Sequence, residues 1–376
     1  MKGILQTEVL EVDTGVSPGE LLGTEAVKKA SSLLQRGELV AFPTETVYGL
    51  GANALDERAV RGIFAAKDRP EDNPLIVHVY SREELNRLTR GTVPSAVRQL
   101  TARFWPGPLT VILPRSDEVP GVICAGLDTV AVRMPSHPVA RAILTRSGLP
   151  VAAPSANKSG LPSPTRAEHV LADMEGSIPL ILDGGECPIG VESTVLDMTS
   201  EIPKILRPGG ISASRLREAL GRDAEIERCY DVTPEDNLPR SPGMKYRHYA
   251  PSARLELLEE GSPEEIWKYA GRQRAHSALL VSKATGQSIA ESEDVAVYSD
   301  PERGADQHIK PVIIGSEENM QEIAHNLFTY LRSLDDEGRK LIMVEAINEE
   351  GLGEAIMNRL RKAATEIISL DPSPEK

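Results

Sequence analysis

The fold of this chain is limited most by one feature, a regular alternation of short apolar segments with segments of helical periodicity. Apolar segments of strand length occupy residues 39–42, 75–79, 109–113 and 130–133. Helices are predicted at residues 25–36, between an N-cap at Thr24 and Gly37, and from Asp56 to about Ala66. Such alternation without sustained hairpin patterns indicates an α/β fold with an open twisted mixed sheet.

The same pattern continues toward residue 221. Thr165 and Glu168 predict a capping box at the start of a helix. Residues 190–198 alternate between polar and apolar side chains, as a strand with one buried face does. Ser212 is the predicted N-cap of the next helix, which should end at Gly221.

A second α/β pattern occupies the C-terminal part of the chain. A length of 376 residues favours two domains, because a single hydrophobic core rarely grows beyond about 250–300 residues. The predicted strands lie at residues 278–281, 295–298 and 341–344, and the predicted helices at residues 319–334 and 353–365. We expect a small Rossmann-like, doubly wound domain. It contains no Gly-rich turn from a strand into a helix, so we predict no dinucleotide site there.

The segment between the two patterns has no clear periodicity. Its stretch SPGMKYRHYAP, at residues 241–251, is basic and aromatic, whereas flexible tethers are usually rich in Ser, Gly or Pro. The stretch is therefore either an ordered strap between domains or a lid over a site. We predict a first domain at residues 1–235, a linker or lid at residues 236–252, and a second domain at residues 253–376.

The charge of the chain is negative and unevenly distributed. The net charge is −14, and residues 252–376 carry 14 Lys and Arg against 24 Asp and Glu. An acidic C-terminal third argues against a phosphate-backbone grip along the whole protein. A local basic pocket in the first two-thirds of the chain remains compatible with this distribution.

Cysteine usage and hydropathy suggest where the protein acts. Cys124, Cys187 and Cys229 form no CxxC pair and no His/Cys metal spacing, which fits a reducing compartment. No window approaches the roughly 18 apolar residues that a membrane helix needs. The first residues turn acidic before a signal-peptide apolar run can form. We expect a cytoplasmic protein without a structural metal ion and without membrane contact.

Polar residues follow the predicted strands, where ligands bind in open α/β sheets. The motif PTETVYGL at residues 43–50 places hydroxyls and backbone amides at a sheet edge. Lys67 and Arg69 leave a helix and enter a loop that contains Asn73. A guanidinium fork and a compact ammonium this close together suit neighbouring phosphate oxygens, although a surface charge run would look the same. His78, in the next strand, is either a ligand or an ordinary core histidine.

Further strand ends repeat this arrangement. Arg133 ends an apolar strand, and a buried arginine there needs an anionic partner, either a protein carboxylate or a ligand carboxylate. Similar polar turns lie at residues 154–160, at Ser163, and at residues 192–195 and 206–210. A structural turn explains any one of these clusters, but their number favours a binding site.

The sequence contains none of the common hydrolytic or ATP-binding motifs. There is no G-x-x-x-x-G-K-[ST] loop, no HExxH helix and no Ser-His-Asp order. Residues 49–54 match G-x-G-x-x-A, but they follow a proline break, so we interpret them as a tight turn. The candidate site residues are cations and hydroxyls, without an obvious general base. This composition indicates phosphoryl or nucleotidyl transfer, in which positioning and charge neutralisation dominate catalysis.

Nine ordered motifs resemble the YrdC-like family of threonylcarbamoyl-adenylate synthases, in its longer form with a C-terminal extension. The resemblance covers nearly the whole chain. The matching motifs are PTETVYGLG, K-x-R followed by NPLIVH, FWPGPLT, VAVRMP, PSAN-x-SG, the glycine-containing stretch from Gly184 to STV, ILRPG, SPGMKYRHYAP and GLGEAIMNRL.

The resemblance implies one reaction, catalysed by a nucleotidyltransferase. L-threonine, bicarbonate and ATP would give threonylcarbamoyl-AMP and pyrophosphate, with Mg²⁺ accompanying ATP. The threonine amine would capture CO₂ as a carbamate, whose oxygen attacks the α-phosphorus of ATP. The product would serve the threonylcarbamoyladenosine modification of tRNA beside the anticodon, which implies downstream tRNA-modifying proteins as partners and at most a weak contact with tRNA.

The resemblance also implies roles for individual residues. Those implied around L-threonine, with Arg133 pairing its carboxylate, are Thr44 or Thr46, His78, Arg133, Ala153 and Ser193. Those implied to hold ATP and its phosphates, with Lys67 and Arg69 as the catalytic pair, are Lys67, Arg69, Asn73, Thr129, Ser155, Ser163 and Arg207. Those implied to close over the pocket and exclude water are Tyr246, His248 and Tyr249.

Two other functions are compatible with the same core. A non-catalytic RNA-binding module would bind RNA in a salt-sensitive way and ignore threonine, and the acidity of the chain weighs against it. A carbamoyltransferase would start from carbamoyl phosphate, but relatives of that kind usually carry extra catalytic domains.

Overall fold

The computed structural model describes residues 5–230, 248–273, 276–291, 309 and 311–370. These residues form two compact units. Unit 1 contains the described residues up to Ser159 and from Ser163 to residue 230, and unit 2 contains Gly160–Pro162 and the described residues from 248 onward. The predicted domain bounds, 1–235, 236–252 and 253–376, remain a prediction.

Unit 1 is built on an 11-stranded sheet within the described part of the chain. Its strands are β1 (Glu8–Glu11), β2 (Val40–Phe42), β3 (Gly49–Asn53), β4 (Ile76–His78), β5 (Leu109–Pro114), β6 (Thr129–Arg133), β7 (Val151–Ala152), β8 (Leu180–Asp183), β9 (Thr194–Asp197), β10 (Lys204–Arg207) and β11 (Glu227–Arg228). Their spatial order is β1-β8-β2-β3-β7-β4-β6-β5-β9-β10-β11. Parallel pairs such as β4–β6 stand beside antiparallel pairs such as β5–β6, so the predicted mixed sheet is confirmed.

Several helices of unit 1 begin at a side-chain cap that the sequence supplies. They are α1 (Pro18–Gly23), α2 (Glu25–Gln35), α3 (Glu57–Lys67), α4 (Leu85–Leu88), α5 (Ser95–Phe104), α6 (Pro138–Ser147), α7 (Ala167–Met174) and α8 (Ala213–Leu220), with a 3₁₀ turn at Gly121–Cys124. Thr24 caps α2 by accepting a hydrogen bond from Val27 N, and Asp56 caps α3 by accepting from Arg58 N and Ala59 N. Both predicted helices are therefore confirmed.

Two predictions about local structure were wrong. Thr165 and Glu168 form no capping box, because α7 begins at Ala167 and its N-cap residue, Arg166, makes no side-chain capping bond. Thr165 instead uses its backbone N to donate to His169 Nδ1 and its carbonyl to accept from Cys187 N. The strand predicted over residues 190–198 is limited to β9, and the residues before it form a loop.

The strands of unit 1 divide their side chains between two faces. Alternate residues such as Val77, Val132 and Val111 join the largest hydrophobic core, which also contains Val60 of α3 and Leu100 of α5. On the other face, at the β1-β8-β2 side, a second core packs strand residues against α1, α2 and α6. The sheet is thus packed against helices on both faces, and this packing positions the polar ends of its strands.

Unit 2 is a smaller, fully parallel sheet with helices on it. Its elements are β12 (Arg254–Glu259), α9 (Pro263–Ala270), β13 (Ser277–Ser282), α10 (Lys283–Glu291), β14 (Pro311–Gly315), α11 (Met320–Asp336), β15 (Leu341–Glu345), α12 (Gly353–Ala363) and β16 (Glu366–Ser369). The strand order is β14-β13-β15-β12-β16, and every pair is parallel. This arrangement confirms the predicted Rossmann-like second domain. The strand predicted at residues 295–298 lies outside the described residues.

Among the described helices, not one is long and apolar enough to cross a membrane.

Candidate functional site

One row of residues runs across six strands of the unit 1 sheet. Successive strand pairings align Val151 (β7), His78 (β4), Arg133 (β6), Thr110 (β5), Val195 (β9) and Arg207 (β10). Side chains aligned in this way point to the same face of a sheet. Adjacent strands lie about 4.8 Å apart, and three such steps separate β6 from β10. The backbones of Arg133 and Arg207 are therefore about 14 Å apart. The row brings three of the predicted site residues, His78, Arg133 and Arg207, onto one face.

A small apolar cluster accompanies this row. It consists of Ile76, Ile112, Ala131, Val195 and Leu206, all buried. Ile76 and Ala131 are register partners, as are Ala131 and Ile112, so they form the next row on the same face as His78 and Arg133. An apolar floor beside cations and hydroxyls is the usual composition of a small-molecule site.

Ser193 and Arg207 are in direct contact at one end of the row. The Ser193 hydroxyl lies 2.8 Å from Thr110 Oγ1. The Arg207 guanidinium donates from Nη2 to Ser193 Oγ at 3.1 Å and from Nε to Ser193 O at 3.1 Å. The structure thus joins a residue predicted to bind threonine to one predicted to bind ATP, and it adds Thr110, which the sequence analysis did not single out.

Thr44 and Thr46 form a tight hydroxyl-lined turn after β2. Thr44 Oγ1 donates to Val47 O at 2.7 Å, lies 2.8 Å from Thr46 Oγ1, and accepts from Thr46 N and Val47 N. This turn is tied to a neighbouring loop, because Gly190 N donates to Thr46 O. Both threonines are buried, so their hydroxyls are fixed in place.

His78 is buried and neutral. Its side chain is 2% exposed, and its Nδ1 makes no hydrogen bond with the described residues. Burial, followed by the nearby charge of Arg133, lowers the pKa of His78 from 6.5 to about 3. The imidazole therefore offers a hydrogen-bonding group without a positive charge at neutral pH.

Arg133 is paired with a carboxylate from the chain itself. Its Nη2 lies 2.6 Å from Oε1 of Glu45, and both side chains are almost completely buried. Nε of Arg133 makes no hydrogen bond with the described residues. The sequence left open whether the partner of Arg133 is a protein or a ligand carboxylate, and the structure provides the first.

Lys67 ends α3 and is buried beneath the loop that follows β7. Its Nζ donates to Ser155 O at 2.5 Å and to Asn157 O. The same loop is held by Ser159 N, which donates to Lys67 O. Two predicted nucleotide residues, Lys67 and Ser155, are thus brought together. Ala153, at the start of this loop, is buried and is bound through its backbone N to Ile76 O.

Arg69 folds back over the loop that leads to β4. Its Nη2 donates to Asn73 O at 3.2 Å and to Pro74 O at 3.1 Å. Asn73 is buried, and its Oδ1 makes no hydrogen bond with the described residues. Arg69 and Asn73, two residues predicted to bind the nucleotide, are therefore in contact.

Ser163 contacts a carboxylate that the sequence analysis quoted without giving it a role. Its hydroxyl donates to Glu192 Oε1 at 2.6 Å, and both residues are buried. Glu192 is the sequence neighbour of Ser193, which contacts Arg207, so Ser163 belongs to the same region of unit 1.

Thr129 is the predicted nucleotide residue that stands apart. It begins β6, whereas Arg133 ends it, so the two side chains share a face but lie about 13 Å apart along the strand. Of the predicted lid residues, Tyr246 lies outside the described residues. His248 and Tyr249 belong to unit 2, where the Tyr249 ring stacks on Phe328 at 5.5 Å and lies 5.4 Å from the Arg359 guanidinium.

The described residues contain no group of three or more His, Cys, Asp or Glu side chains able to hold a metal ion. A cavity of about 670 Å³ lies elsewhere in unit 1, beside α1 and α6. Its wall consists of Thr14, Val16, Pro18, Leu21, Leu22, Pro106, Ser136, Pro138, Arg141, Ala142 and Thr145, and the predicted site residues do not line it.

Family comparisons agree with this architecture. A family profile described as "Telomere recombination" matches residues 32–209, and one described as "Threonylcarbamoyl-AMP synthase, C-terminal domain" matches residues 211–365. The chain is 46% identical to the threonylcarbamoyl-AMP synthase of Pyrococcus abyssi, across 90% of this chain and 94% of that protein. It is also 46% identical to the Bacillus subtilis threonylcarbamoyl-AMP synthase, across 90% of this chain and 92% of that protein.

A solved structure extends the likeness to three dimensions. The crystal structure of P. abyssi Sua5 complexed with L-threonine matches with a TM-score of 0.81 and 42% identity, covering 96% of this chain and 99% of that one. Fold and site together define a two-domain α/β protein with strand-end hydroxyls and cations gathered on one face of its larger sheet. This chain belongs to the threonylcarbamoyl-AMP synthase family, in the form that carries a C-terminal domain.

Proposed function

We propose that this enzyme joins L-threonine, bicarbonate and ATP into threonylcarbamoyl-AMP and releases pyrophosphate. The observation that supports this most is the cross-strand row, with Arg133 in its middle and Arg207 at one end. Their separation of about 14 Å is enough for an amino acid and a nucleotide phosphate to bind side by side. The apolar floor between them supplies a surface from which water is excluded.

In this proposal L-threonine binds beside Arg133. The guanidinium of Arg133 pairs with the threonine carboxylate, because it has five donors and can serve two carboxylates at once. Neutral His78 and the hydroxyls of Thr44, Thr46 and Ser193 hydrogen-bond the polar groups of threonine. The small side chain of Ala153 leaves room for the substrate.

ATP binds across the loops that carry the cations. Lys67, Arg69 and Arg207 neutralise its phosphates, while Ser155, Ser163, Asn73 and Thr129 complete the nucleotide site. The threonine amine attacks CO₂ released from bicarbonate, and the resulting carbamate oxygen attacks the α-phosphorus, expelling pyrophosphate. Lys67 and Arg69 act as the catalytic pair, because their fixed charges stabilise the negative charge that develops on the phosphoryl oxygens.

Mg²⁺ accompanies ATP in this proposal. The donor set near Arg207 includes the Ser163 hydroxyl and the Glu192 carboxylate, oxygen donors of the kind that Mg²⁺ prefers. Because the described residues form no multi-ligand metal cluster, phosphate oxygens and water supply most of its coordination. The ion would offset the charge of the triphosphate.

The remaining roles concern closure and delivery. Tyr246, His248 and Tyr249 act as a lid that keeps water from the labile carbamate and adenylate. The product passes to downstream tRNA-modifying proteins in the cytoplasm, and contact with tRNA itself is weak, in keeping with a net charge of −14.

The test is ATP-dependent pyrophosphate release with threonine and bicarbonate each omitted in turn. We expect release only when both are present. Release that needs carbamoyl phosphate instead would indicate a carbamoyltransferase. Salt-sensitive RNA binding without any threonine dependence would indicate a binding module.

A further inference from the structure

Glu45 is a buried carboxylate in the middle of the threonine-rich turn, between Thr44 and Thr46. It is 5% exposed, and Arg133 is 4% exposed. Burying an ion pair costs several kcal/mol of desolvation per ion, so replacing such a pair with apolar side chains often leaves stability unchanged or higher. Stability alone is therefore a weak reason for placing this pair at the end of β6.

The two oxygens of Glu45 reach different parts of the chain. Oε1 lies 2.6 Å from Arg133 Nη2, and Oε2 accepts a hydrogen bond from Ser136 N at 3.0 Å. The backbone of Glu45 is fixed as well, because its carbonyl accepts from Ile189 N at 2.9 Å. The carboxylate thus links the strand end that carries Arg133 to the segment that follows it, and its own position is set by a third loop.

The contact leaves the Nε donor of Arg133 available. Nη2 lies 2.6 Å from Oε1 of Glu45, whereas Nε makes no hydrogen bond with the described residues. Glu45 therefore contacts one nitrogen of the guanidinium and does not occupy two of them, as a bidentate carboxylate would. A guanidinium that is held in place by Glu45 and still has an unbonded N–H group can bind the carboxylate of a ligand.

We propose that Glu45 is a positioning residue, which fixes the Arg133 guanidinium in the orientation that binds the carboxylate of L-threonine. This inference rests on the proposed function, since it takes L-threonine as the ligand of Arg133. Glu45 acts through Arg133 and does not touch the substrate. Its loss should therefore weaken threonine binding selectively, and ATP binding should be unaffected because Lys67, Arg69 and Arg207 keep their own contacts.

The experiment is calorimetric titration of the full chain with L-threonine and, separately, with ATP and Mg²⁺. Glu45→Gln keeps the shape and an acceptor for Ser136 N but removes the charge. We expect its Kd for threonine to rise about tenfold to a hundredfold, the penalty typical of a misplaced binding group, with the Kd for ATP within about twofold of wild type. In turnover, KM for threonine should rise more than kcat falls.

Two further variants separate positioning from simple destabilisation. Glu45→Asp retains the charge one methylene further from Arg133, so it should weaken threonine binding less than Glu45→Gln, and it keeps the test available if the Gln variant folds poorly. Asp197→Asn alters another buried carboxylate of the same sheet, which binds Thr199 N and Oγ1. That control should lower the melting temperature without changing the Kd for threonine.

The outcomes distinguish this inference from the proposed function. If wild-type protein takes up no L-threonine, the proposed function fails. If wild type binds threonine and Glu45→Gln binds it equally well or more tightly, the positioning role is wrong while the function stands. An equal loss of threonine and ATP binding in both Glu45 variants would also overturn it, since that pattern indicates general disruption.

Discussion

At the scale of single residues, the candidate site depends on polar groups that are buried and already oriented. Ser193 is held between Thr110 and Arg207, and Lys67 is held by two carbonyls. Such groups lose little conformational freedom when a ligand arrives, so more of the interaction energy remains for binding. Each substitution among them should therefore act on ligand affinity or turnover more than on the fold.

Arg69→Ala should reduce pyrophosphate release by about 10²–10³-fold, because a charge aimed at developing phosphoryl charge in a water-poor site is worth several kcal/mol. The measurement is ATP-dependent pyrophosphate release with threonine and bicarbonate present. Arg61→Ala is the control, because this cation of the preceding helix α3 forms surface ion pairs with exposed Glu57 and Glu71. Near-normal release by Arg69→Ala would contradict the catalytic assignment.

His137 gives the protein a measurable sensitivity to acid. It is the N-cap of α6, and burial lowers its pKa from 6.5 to about 4. The unfolded chain takes up this proton at a higher pH than the folded one, so the free energy of unfolding falls as the pH drops from about 6.5 to about 4. His137→Asn replaces the Nδ1 acceptor of Val139 N with a side-chain oxygen and removes the titrating group.

Between pH 6.5 and pH 4, the free energy of unfolding of His137→Asn should fall by about 2–3 kcal/mol less than that of wild type. Urea unfolding of both proteins at pH 7 and at pH 4 measures the difference. His78 and the other titrating groups are present in both proteins, so the difference reports His137 together with its interaction with the nearby charge of Glu45. Parallel pH profiles for the two proteins would show that His137 does not bind its proton differently in the folded state.

The sequence could predict residues of the site but not their partners. Lys67, Arg69, Arg133 and Arg207 follow apolar strands or a helix, a pattern visible without a structure. Glu45, however, stands between two threonines in the sequence, and only the folded structure shows that it contacts Arg133. Long-range contacts of this kind have no local signal, which is why the protein carboxylate beside Arg133 had to be left as one of two alternatives.

At the scale of elements, loops that meet at close backbone distance shape the site. The turn after β10 passes directly against the residues before β9, and this contact keeps Arg207 beside Ser193. A Cβ added at Gly209 would lie 2.3 Å from Thr194 N and 2.4 Å from Glu192 O. Only a glycine allows the two segments to approach this closely.

Gly209→Ala should therefore destabilise unit 1 and lower activity together, because the backbone of residues 192–194 cannot move away without shifting Ser193. We expect a loss of at least about 2 kcal/mol in the free energy of unfolding. Gly121→Ala is the control, since a Cβ there meets nothing within 4 Å. Urea unfolding and pyrophosphate release measure both effects, and unchanged values for Gly209→Ala would contradict this account of the loop.

Elements with strong caps were predictable, and elements defined by tertiary pairing were not. Thr24 and Ser212 each cap a helix as predicted, and Asp56 caps the helix that was predicted to start there. The capping box predicted at Thr165 and Glu168 was wrong because the backbone of Thr165 is hydrogen-bonded to His169 and Cys187. The helix therefore begins later. Strand β1 was missed since its four residues, Glu-Val-Leu-Glu, show no polar–apolar alternation and are stabilised by parallel pairing with distant β8.

At the scale of the whole molecule, the chain contributes to unit 2 from two places. Gly160–Pro162 belong to unit 2, although they lie in sequence between Ser155 and Ser163, two predicted nucleotide residues of unit 1. Within unit 2, Gly160 O accepts from Ala250 N at 2.9 Å and Pro162 O accepts from Arg332 Nη2 at 2.5 Å. Gly160 and Pro162 are therefore both held by hydrogen bonds from the C-terminal part of the chain.

Cutting the chain after about residue 235 should leave a folded but poor enzyme. Unit 1 keeps its own hydrophobic cores, so a cooperative unfolding transition should survive. Residues 160–162 lose their partners and the predicted lid is removed, so kcat/KM for pyrophosphate release should fall at least about tenfold. Thermal unfolding and steady-state kinetics of the shortened protein measure the two effects, and undiminished turnover would remove both the lid and the anchoring explanation.

A full-length variant tells these two explanations apart. Arg332→Met removes the bond to Pro162 O and leaves His248 and Tyr249 in place. If the shortened protein is slow because residues 160–162 have lost their partners, Arg332→Met should show a large part of the same fall in kcat/KM. That fall should come from weaker ATP binding. If Arg332→Met turns over normally while the shortened protein does not, the loss belongs to the strap residues, whose closure keeps water from the adenylate.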